Sequence, residues 1–238
     1  EMEHGAYDIK SLRDCLQYML NRQQILSSGT LAPKVTPMVR IPPNGGEMNQ
    51  WIAKQVLDQG VFGIVWPHVS TVAEARNAVA SCRYARPTNA PRYEPAGQRG
   101  DAPTNAARFW GISAQDYYDR ADVWPLDPKG EILVAIMCED VVGLKNLPQI
   151  LKEVPGIGAV IIGEGDLSQN LGFPRQYDHP TVAGAMLGFA LRTEQRDGEA
   201  VPPGERVLHQ LRPLSAGLCV PLFAFTAAGL ALGSASVG

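Results

Sequence analysis

Apolar residues fall into two alternating rhythms along this chain, one at helical spacing and one of short unbroken runs. From Asp8 to Arg22, Ile9, Leu12, Leu16, Met19 and Leu20 recur at helical spacing behind an aspartate suited to an N-cap. Val35–Ile41 then reads as a strand, a helix follows over about Glu47–Leu57, and Val61–Trp66 is a short apolar run after Gly60. Thr71–Tyr84 is helical again. Between Ala85 and Gly130 the pattern lapses into Pro, Asn, Gly and Arg around a helix at about Ser113–Ala121, which reads as a long excursion rather than a domain linker. Regularity returns with Ile132–Cys138, a continuous apolar strand that ends at Glu139-Asp140. Asn146-Leu147-Pro148 predicts a helix start with proline in the first turn, and Ala159–Ile162 predicts another buried strand.

Strands apolar on both faces and separated by helices imply an α/β fold whose parallel sheet is covered by helices. A doubly wound open sheet and a (β/α)8 barrel both satisfy the rhythm. Neither G-x-G-x-x-G nor G-x-x-x-x-G-K-[ST] is present, and the glycine pairs Gly156/Gly158 and Gly163/Gly165 lack the remaining glycines, which favours the barrel. In a barrel, chemistry sits at the carboxyl ends of strands. Arg40, Glu139 and Asp166 each follow a run of apolar residues, and His4, just before the first helix, stands where a strand outside this chain would end.

Composition narrows the partners. With 238 residues, 45% hydrophobic and 19% charged, the chain can bury a full core, and one domain is favoured over two. A formal net charge of −3 without a basic stripe argues against nucleic acid and anionic membranes, leaving a small molecule. Cys15, Cys82, Cys138 and Cys219 are far apart and form no metal or disulfide pattern, so they read as thiols of a reducing compartment, the cytoplasm. No signal peptide opens the chain. From Pro213 to Gly238 there is no charge, which is long enough to count as a membrane-span candidate. Pro221, Gly217, Gly229 and Gly233 break that stretch up, so a buried strand and helix is preferred.

Four residues need a chemical account. Arg40 lies among apolar and proline neighbours in Pro37-Met38-Val39-Arg40-Ile41-Pro42, where a guanidinium without a counter-charge is costly. Glu139 and Asp166 on neighbouring strand ends suit one hard divalent cation, Mg²⁺ or Mn²⁺, rather than Zn²⁺; a helix cap and a surface pair explain the same two residues. Glycines flanking Glu164 would let backbone amides approach an anionic group. His4 suits a general base or a hydrogen-bonded loop histidine.

Six blocks in order resemble the signatures of the HpcH/HpaI aldolase/citrate lyase family. They are Glu3-His4-Gly5, PMVRIP with Asn44 after it, Asp58 to Ile64, Gly97-Gln98-Arg99-Gly100, Met137-Cys138-Glu139, and GEGDLSQNLGFPRQ from Gly163. The resemblance runs from residue 1 to about Met186, and its wording is similar to the macrophomate synthase-like, oxaloacetate-handling branch. It implies a metal-dependent class II aldolase on a TIM barrel. On that basis Glu139 and Asp166 would hold the metal, and Arg40 would face the enolate oxygen of a 2-oxo acid. His4 would be the general base with Glu1 orienting it, and Gly163, Glu164 and Gly165 would take the substrate carboxylate. A Schiff-base route is disfavoured independently, since no lysine follows an apolar strand run.

The chain also departs from the family. The aspartate expected three residues before the histidine is Glu1, and the glutamine expected two before the metal glutamate is Met137. By the resemblance, the first βα unit is expected to be absent from these residues and the barrel to be incomplete. The expected division is a partial barrel over residues 1–186 and a divergent segment over 187–238. Two hypotheses follow: a carbon-carbon lyase acting through a pyruvate- or oxaloacetate-type enolate, or a non-catalytic partial barrel that associates with intact homologues. The family forms homo-oligomers. The chain alone is expected to bind metal weakly and to show little activity.

Overall fold

A computed structural model describes residues 1–42, 48 and 50–192. The first helix, α1 (Ile9–Met19), starts where an aspartate can take an orphan amide: the Asp8 side chain accepts from the Ser11 backbone N–H at 3.0 Å. Leu16 is its buried anchor. A second helix, α2 (Arg22–Ser28), was not expected. Asn21 caps it and Gly29 ends it in the left-handed conformation, but it buries no residue and so leaves no apolar stripe in the sequence.

The strands are β1 (Val39–Arg40), β2 (Gly63–Trp66), β3 (Val123–Trp124), β4 (Ile132–Cys138) and β5 (Ala159–Ile162), and every ladder between them is parallel. The sheet runs β1-β2-β4. Beyond β4, β3 pairs with its first residues and β5 with its last four. β1, β2, β4 and β5 thus follow one another in chain order, while the two-residue β3 lies beyond β4 instead of between β2 and β4. Among the described residues no ladder joins β1 to β5. β1 is shorter than the Val35–Ile41 expectation: Val35 is exposed, Pro37 has no N–H to give, and the ladder begins only at Val39.

Helices α3 (Gln50–Leu57), α4 (Val72–Ser81) and α7 (Val141–Glu153) supply Ile52, Val56, Leu57, Val79, Leu147 and Ile150 to one core with Val39, Ile64, Val134 and Ile136 of the strands. α4 opens on a capping box, with the Thr71 hydroxyl on the Glu74 amide and the Glu74 carboxylate on the Thr71 amide. α7 corrects an expectation. It starts at Val141, five residues before Asn146, because the Asp140 side chain accepts from the Gly143 N–H at 2.6 Å. Pro148 therefore lies inside the helix, where the ring removes one intrahelical donor. β5 is also less buried than expected, with Ile161 39% exposed.

The excursion from Ala85 to Gly130 is held down by two buried arginines. Arg83 forks onto Asp122, Nε to Oδ1 at 2.6 Å and Nη2 to Oδ2 at 2.9 Å, and donates to the carbonyls of Arg92, Tyr93 and Pro95. Arg99 donates to Asp58 and to the Tyr117 hydroxyl while lying over the Tyr84 ring at 4.4 Å. The excursion also holds α5 (Thr104–Trp110), which was not expected, and α6 (Ala114–Arg120), capped by Ser113. The remaining helices are α8 (Glu164–Asn170) and α9 (Pro180–Arg192), the latter running across position 186. Asn44, the expected start at Glu47, Cys219 and the Pro213–Gly238 stretch lie outside the described residues.

Burial pushes the Cys82 and Cys138 thiols up to about 12, whereas Cys15 is exposed. In the native protein at pH 8, Cys15 is expected to react with a disulfide reagent well before these two. Thiol release of Cys82 or Cys138 as fast as that of Cys15 would contradict their burial.

Candidate active site

Because the ladders are parallel, the carboxyl ends of β1, β2, β4 and β5 fall on one edge of the sheet. Arg40 is the last residue of β1, His68 lies two past β2, Glu139 one past β4 and Asp166 four past β5. The first residues of the chain join them there, because the Met2 N–H donates to the Arg40 carbonyl at 2.9 Å and the Met2 side chain is buried.

Arg40 has its negative charges. Nε donates to Glu1 Oε2 at 2.7 Å, and Nη1 lies 2.8 Å from Glu3 Oε2. The second contact is a charge pairing off the hydrogen-bond line, so Glu3 Oε2, buried in a side chain only 6% exposed, has no hydrogen bond among the described residues. On its other side the guanidinium meets the Met137 sulfur at 3.9 Å, a weak acceptor where the family resemblance expects an amide. The hydrogen bond from Arg40 holds the Glu1 carboxyl down at about 2. Glu1 was expected to orient the His4 ring. Instead, its Oε1 accepts the backbone N–H groups of Glu3 and His4, each at 3.0 Å, because the tight turn points those amides at it. The His4 imidazole is exposed and lies 3.5 Å from Glu3.

Glu139 is 3% exposed, and burial raises its carboxyl above the ordinary range. Its Oε2 accepts the His68 backbone N–H at 2.7 Å, a direction given by His68 sitting at φ +53° after Pro67. A Cβ on Gly163 would collide with the Glu139 carboxylate, its Cγ standing 2.6 Å from that point, so only glycine fits there. Asp166 is not the cap of α8. It lies in the first turn after Gly163, with Oδ1 accepting from Gln169 at 3.0 Å.

The His68 ring brings the carboxylates together: Nε2 is 3.6 Å from Glu3 Oε1 and 3.5 Å from Asp166 Oδ2, and Nδ1 is 3.6 Å from Glu139 Oε2. Its loop is fastened by Ser70, whose hydroxyl donates to Asp140 and whose carbonyl accepts from Asn146. Neither His68 nor Glu3 stood among the sequence candidates. The strand-end rule that selects Arg40 and Glu139 also selects His68, two residues beyond the apolar run Gly63–Trp66. Of the three amides expected to take a carboxylate, that of Gly163 is engaged, donating to the Cys138 carbonyl at 3.1 Å as part of the sheet. Those of Glu164 and Gly165 open the first turn of α8.

A family model described as HpcH/HpaI aldolase/citrate lyase matches residues 10–200. A second, Na+/H+ antiporter 1, matches residues 178–238. The chain is 29% identical over 185 residues to the hydroxypyruvate/pyruvate aldolase of Roseobacter denitrificans, covering 78% of this chain and 60% of that protein. It is 35% identical over 153 residues to the 2-keto-3-deoxy-L-rhamnonate aldolase of Klebsiella pneumoniae, covering 64% and 49%. The chain thus spans about half to three-fifths of these relatives. Among solved structures, an HpcH/HpaI aldolase/citrate lyase family protein from Burkholderia cenocepacia superposes with a TM-score of 0.60 at 26% identity, over 79% of this chain and 63% of that one. Macrophomate synthase superposes at 0.52 and 26%, over 79% and 57%. No described helix is long and apolar enough to cross a membrane.

Proposed function

Because the chain belongs to the HpcH/HpaI aldolase/citrate lyase family, we propose that its strand-end cluster makes and breaks carbon–carbon bonds next to a 2-oxo acid, on a family-type (β/α)8 scaffold of which these residues form part. The observation that supports this reading is that Glu139 and Asp166, which follow adjacent parallel strands, flank the two nitrogens of one His68 ring at 3.6 and 3.5 Å. Donor chemistry of the kind a divalent cation takes is present: Glu3, His68 and Glu139 each offer one atom within 4.8 Å of the others, and Asp166 Oδ2 lies 3.5 Å from the same His68 ring. Glu139 and Asp166 would hold Mg²⁺ or Mn²⁺, which when bound polarises the 2-oxo group.

The chain's own residues do the rest. His4 takes the proton of the 4-hydroxyl as the C3–C4 bond breaks; the aldehyde leaves and the electron pair stays as the enolate of a pyruvate-type acid. Arg40 faces the enolate oxygen. Glu1, rather than turning the imidazole, holds the Arg40 guanidinium and ties down the His4 backbone. The amides of Glu164 and Gly165 take the substrate carboxylate. Loss of CO₂ from oxaloacetate passes through the same enolate. The relatives' names favour pyruvate or hydroxypyruvate as the retained fragment.

The test is exchange of the pyruvate C3 protons in D₂O, followed by NMR with and without Mg²⁺ or Mn²⁺. Metal-dependent exchange above buffer that Glu139→Gln abolishes is expected. Exchange indifferent to metal and to that change would remove the assignment. We assign residues 1–186 to the catalytic part and 187–238 to a separate segment. The antiporter match supports a second reading for that segment, a membrane-facing tail, and co-flotation of the full chain with lipid vesicles tests it.

A further inference from the structure

We infer that Ser70 and Asp140 are positioning residues of the site: their hydrogen bond ties the loop after β2 to the end of β4 and so aims the His68 backbone N–H at the Glu139 carboxylate. Their effect on rate rests on the carbon–carbon chemistry proposed above, while the contact itself does not. The Ser70 hydroxyl donates to Asp140 Oδ2 at 2.5 Å. Two residues before Ser70, the His68 N–H donates to Glu139 Oε2 at 2.7 Å. Asp140 directly follows Glu139, so the tie joins the loop that carries the donor to the backbone that carries the acceptor.

His68 needs such support, because its backbone lies at φ +53°, a conformation that a histidine keeps only when its surroundings impose it. Three bonds fasten the loop's main chain and Ser70 to β4, α4 and α7. The Val69 N–H donates to the Met137 carbonyl at 3.0 Å, the Ser70 N–H to Glu74 Oε2 at 2.7 Å, and the Asn146 side-chain amide to the Ser70 carbonyl at 2.8 Å. Asp140 adds a contact to the residue beside Glu139 itself. Its other oxygen, Oδ1, accepts the Gly143 N–H at 2.6 Å, so one carboxylate sets both the start of α7 and the place of the His68 loop. Packing leaves that pair little slack: a Cβ on Gly143 would stand 3.3 Å from Ser70 Oγ. Supporting bonds of this kind act by holding a neighbouring group in its productive orientation.

The test pairs two measurements on the full chain: the His68 amide proton, followed by NMR with isotope-labelled histidine and no metal added, and kcat and KM for pyruvate C3 exchange. The chain has four histidines, so His68→Asn assigns the signal by its loss. Ser70→Ala removes the tie and leaves the α7 cap. Asp140→Ser removes it from the other side, since serine still caps a helix but is too short to reach Ser70. Asp140→Asn keeps both contacts, its oxygen on Gly143 and its amide on Ser70. Urea midpoints check that each is folded. Expected in Ser70→Ala and Asp140→Ser is an upfield shift of the His68 amide and a loss of about tenfold or more in kcat with KM little changed, whereas Asp140→Asn stays close to wild type. An unmoved amide in either folded variant would overturn the positioning role, and so would a shifted amide with kcat intact. A wild type without exchange sinks the carbon–carbon chemistry instead, and the amide shift alone then decides whether the tie aims the N–H.

Discussion

Arg83→Ala is expected to destabilise the protein by about 3–5 kcal/mol, because it leaves the Asp122 carboxylate buried without its counter-charge, with only the Val123 N–H donating to it. The arginine is fully buried, its fork satisfies both Asp122 oxygens, and three carbonyls of the excursion depend on the same guanidinium. Against a total of about 5–15 kcal/mol for a typical domain, such a loss moves the urea midpoint far down. Arg83→Met with Asp122→Leu removes the orphaned charge but not the orphaned carbonyls of Arg92, Tyr93 and Pro95, so it should recover only part of the loss. Urea denaturation followed by circular dichroism measures both. A wild-type midpoint in Arg83→Ala would show that the ion pair does not hold the excursion.

Arg40→Lys is expected to slow metal-dependent pyruvate C3 exchange by about a hundredfold or more while leaving metal affinity nearly unchanged. An ammonium cannot meet Glu1 in plane through one nitrogen and Glu3 through another, as Arg40 does through Nε and Nη1. The enolate oxygen would then lose its planar donor, and the buried Glu3 carboxylate would lose part of its counter-charge. Exchange at the wild-type rate in this variant would take Arg40 out of the mechanism.

Legibility followed burial. β4 and β5 were readable to the residue, Ile132–Cys138 and Ala159–Ile162, because their apolar runs are unbroken, and Asp8 marked the start of α1 by its capping chemistry. Helix α2 buries nothing, and α5 is short, lacks a side-chain cap and lies among turn-forming residues, so neither has a periodic signature. In α7 the proline at 148 carried more weight than the aspartate at 140, although the hydrogen bond to Gly143 decides where the helix begins. The parallel sheet follows from strands apolar on both faces. Closure into a barrel does not, because it depends on pairings beyond the five described strands.

In the site, strand-end position brought out Arg40, Glu139 and Asp166, which the fold does set on one edge. His68 was equally legible by that rule, two residues past the apolar run Gly63–Trp66, but its positive φ and its place between the carboxylates are not written in the sequence. The partner of Glu1 could not be read, because a choice between His4 and Arg40 depends on a contact 39 residues away in sequence.

The placement of the cluster on four strand ends and the chain's first residues has a consequence for biosynthesis. Asp166 is polymerised 163 residues after Glu3, which at about 5–20 residues per second is a delay of roughly 8–33 s. Glu1, Glu3 and Arg40 can meet as soon as β1 has emerged, so the guanidinium offsets part of the two carboxylates' charge early. The acidic cluster is complete only once the segment after β5 has left the ribosome, so it cannot assemble until all five described strands have been made.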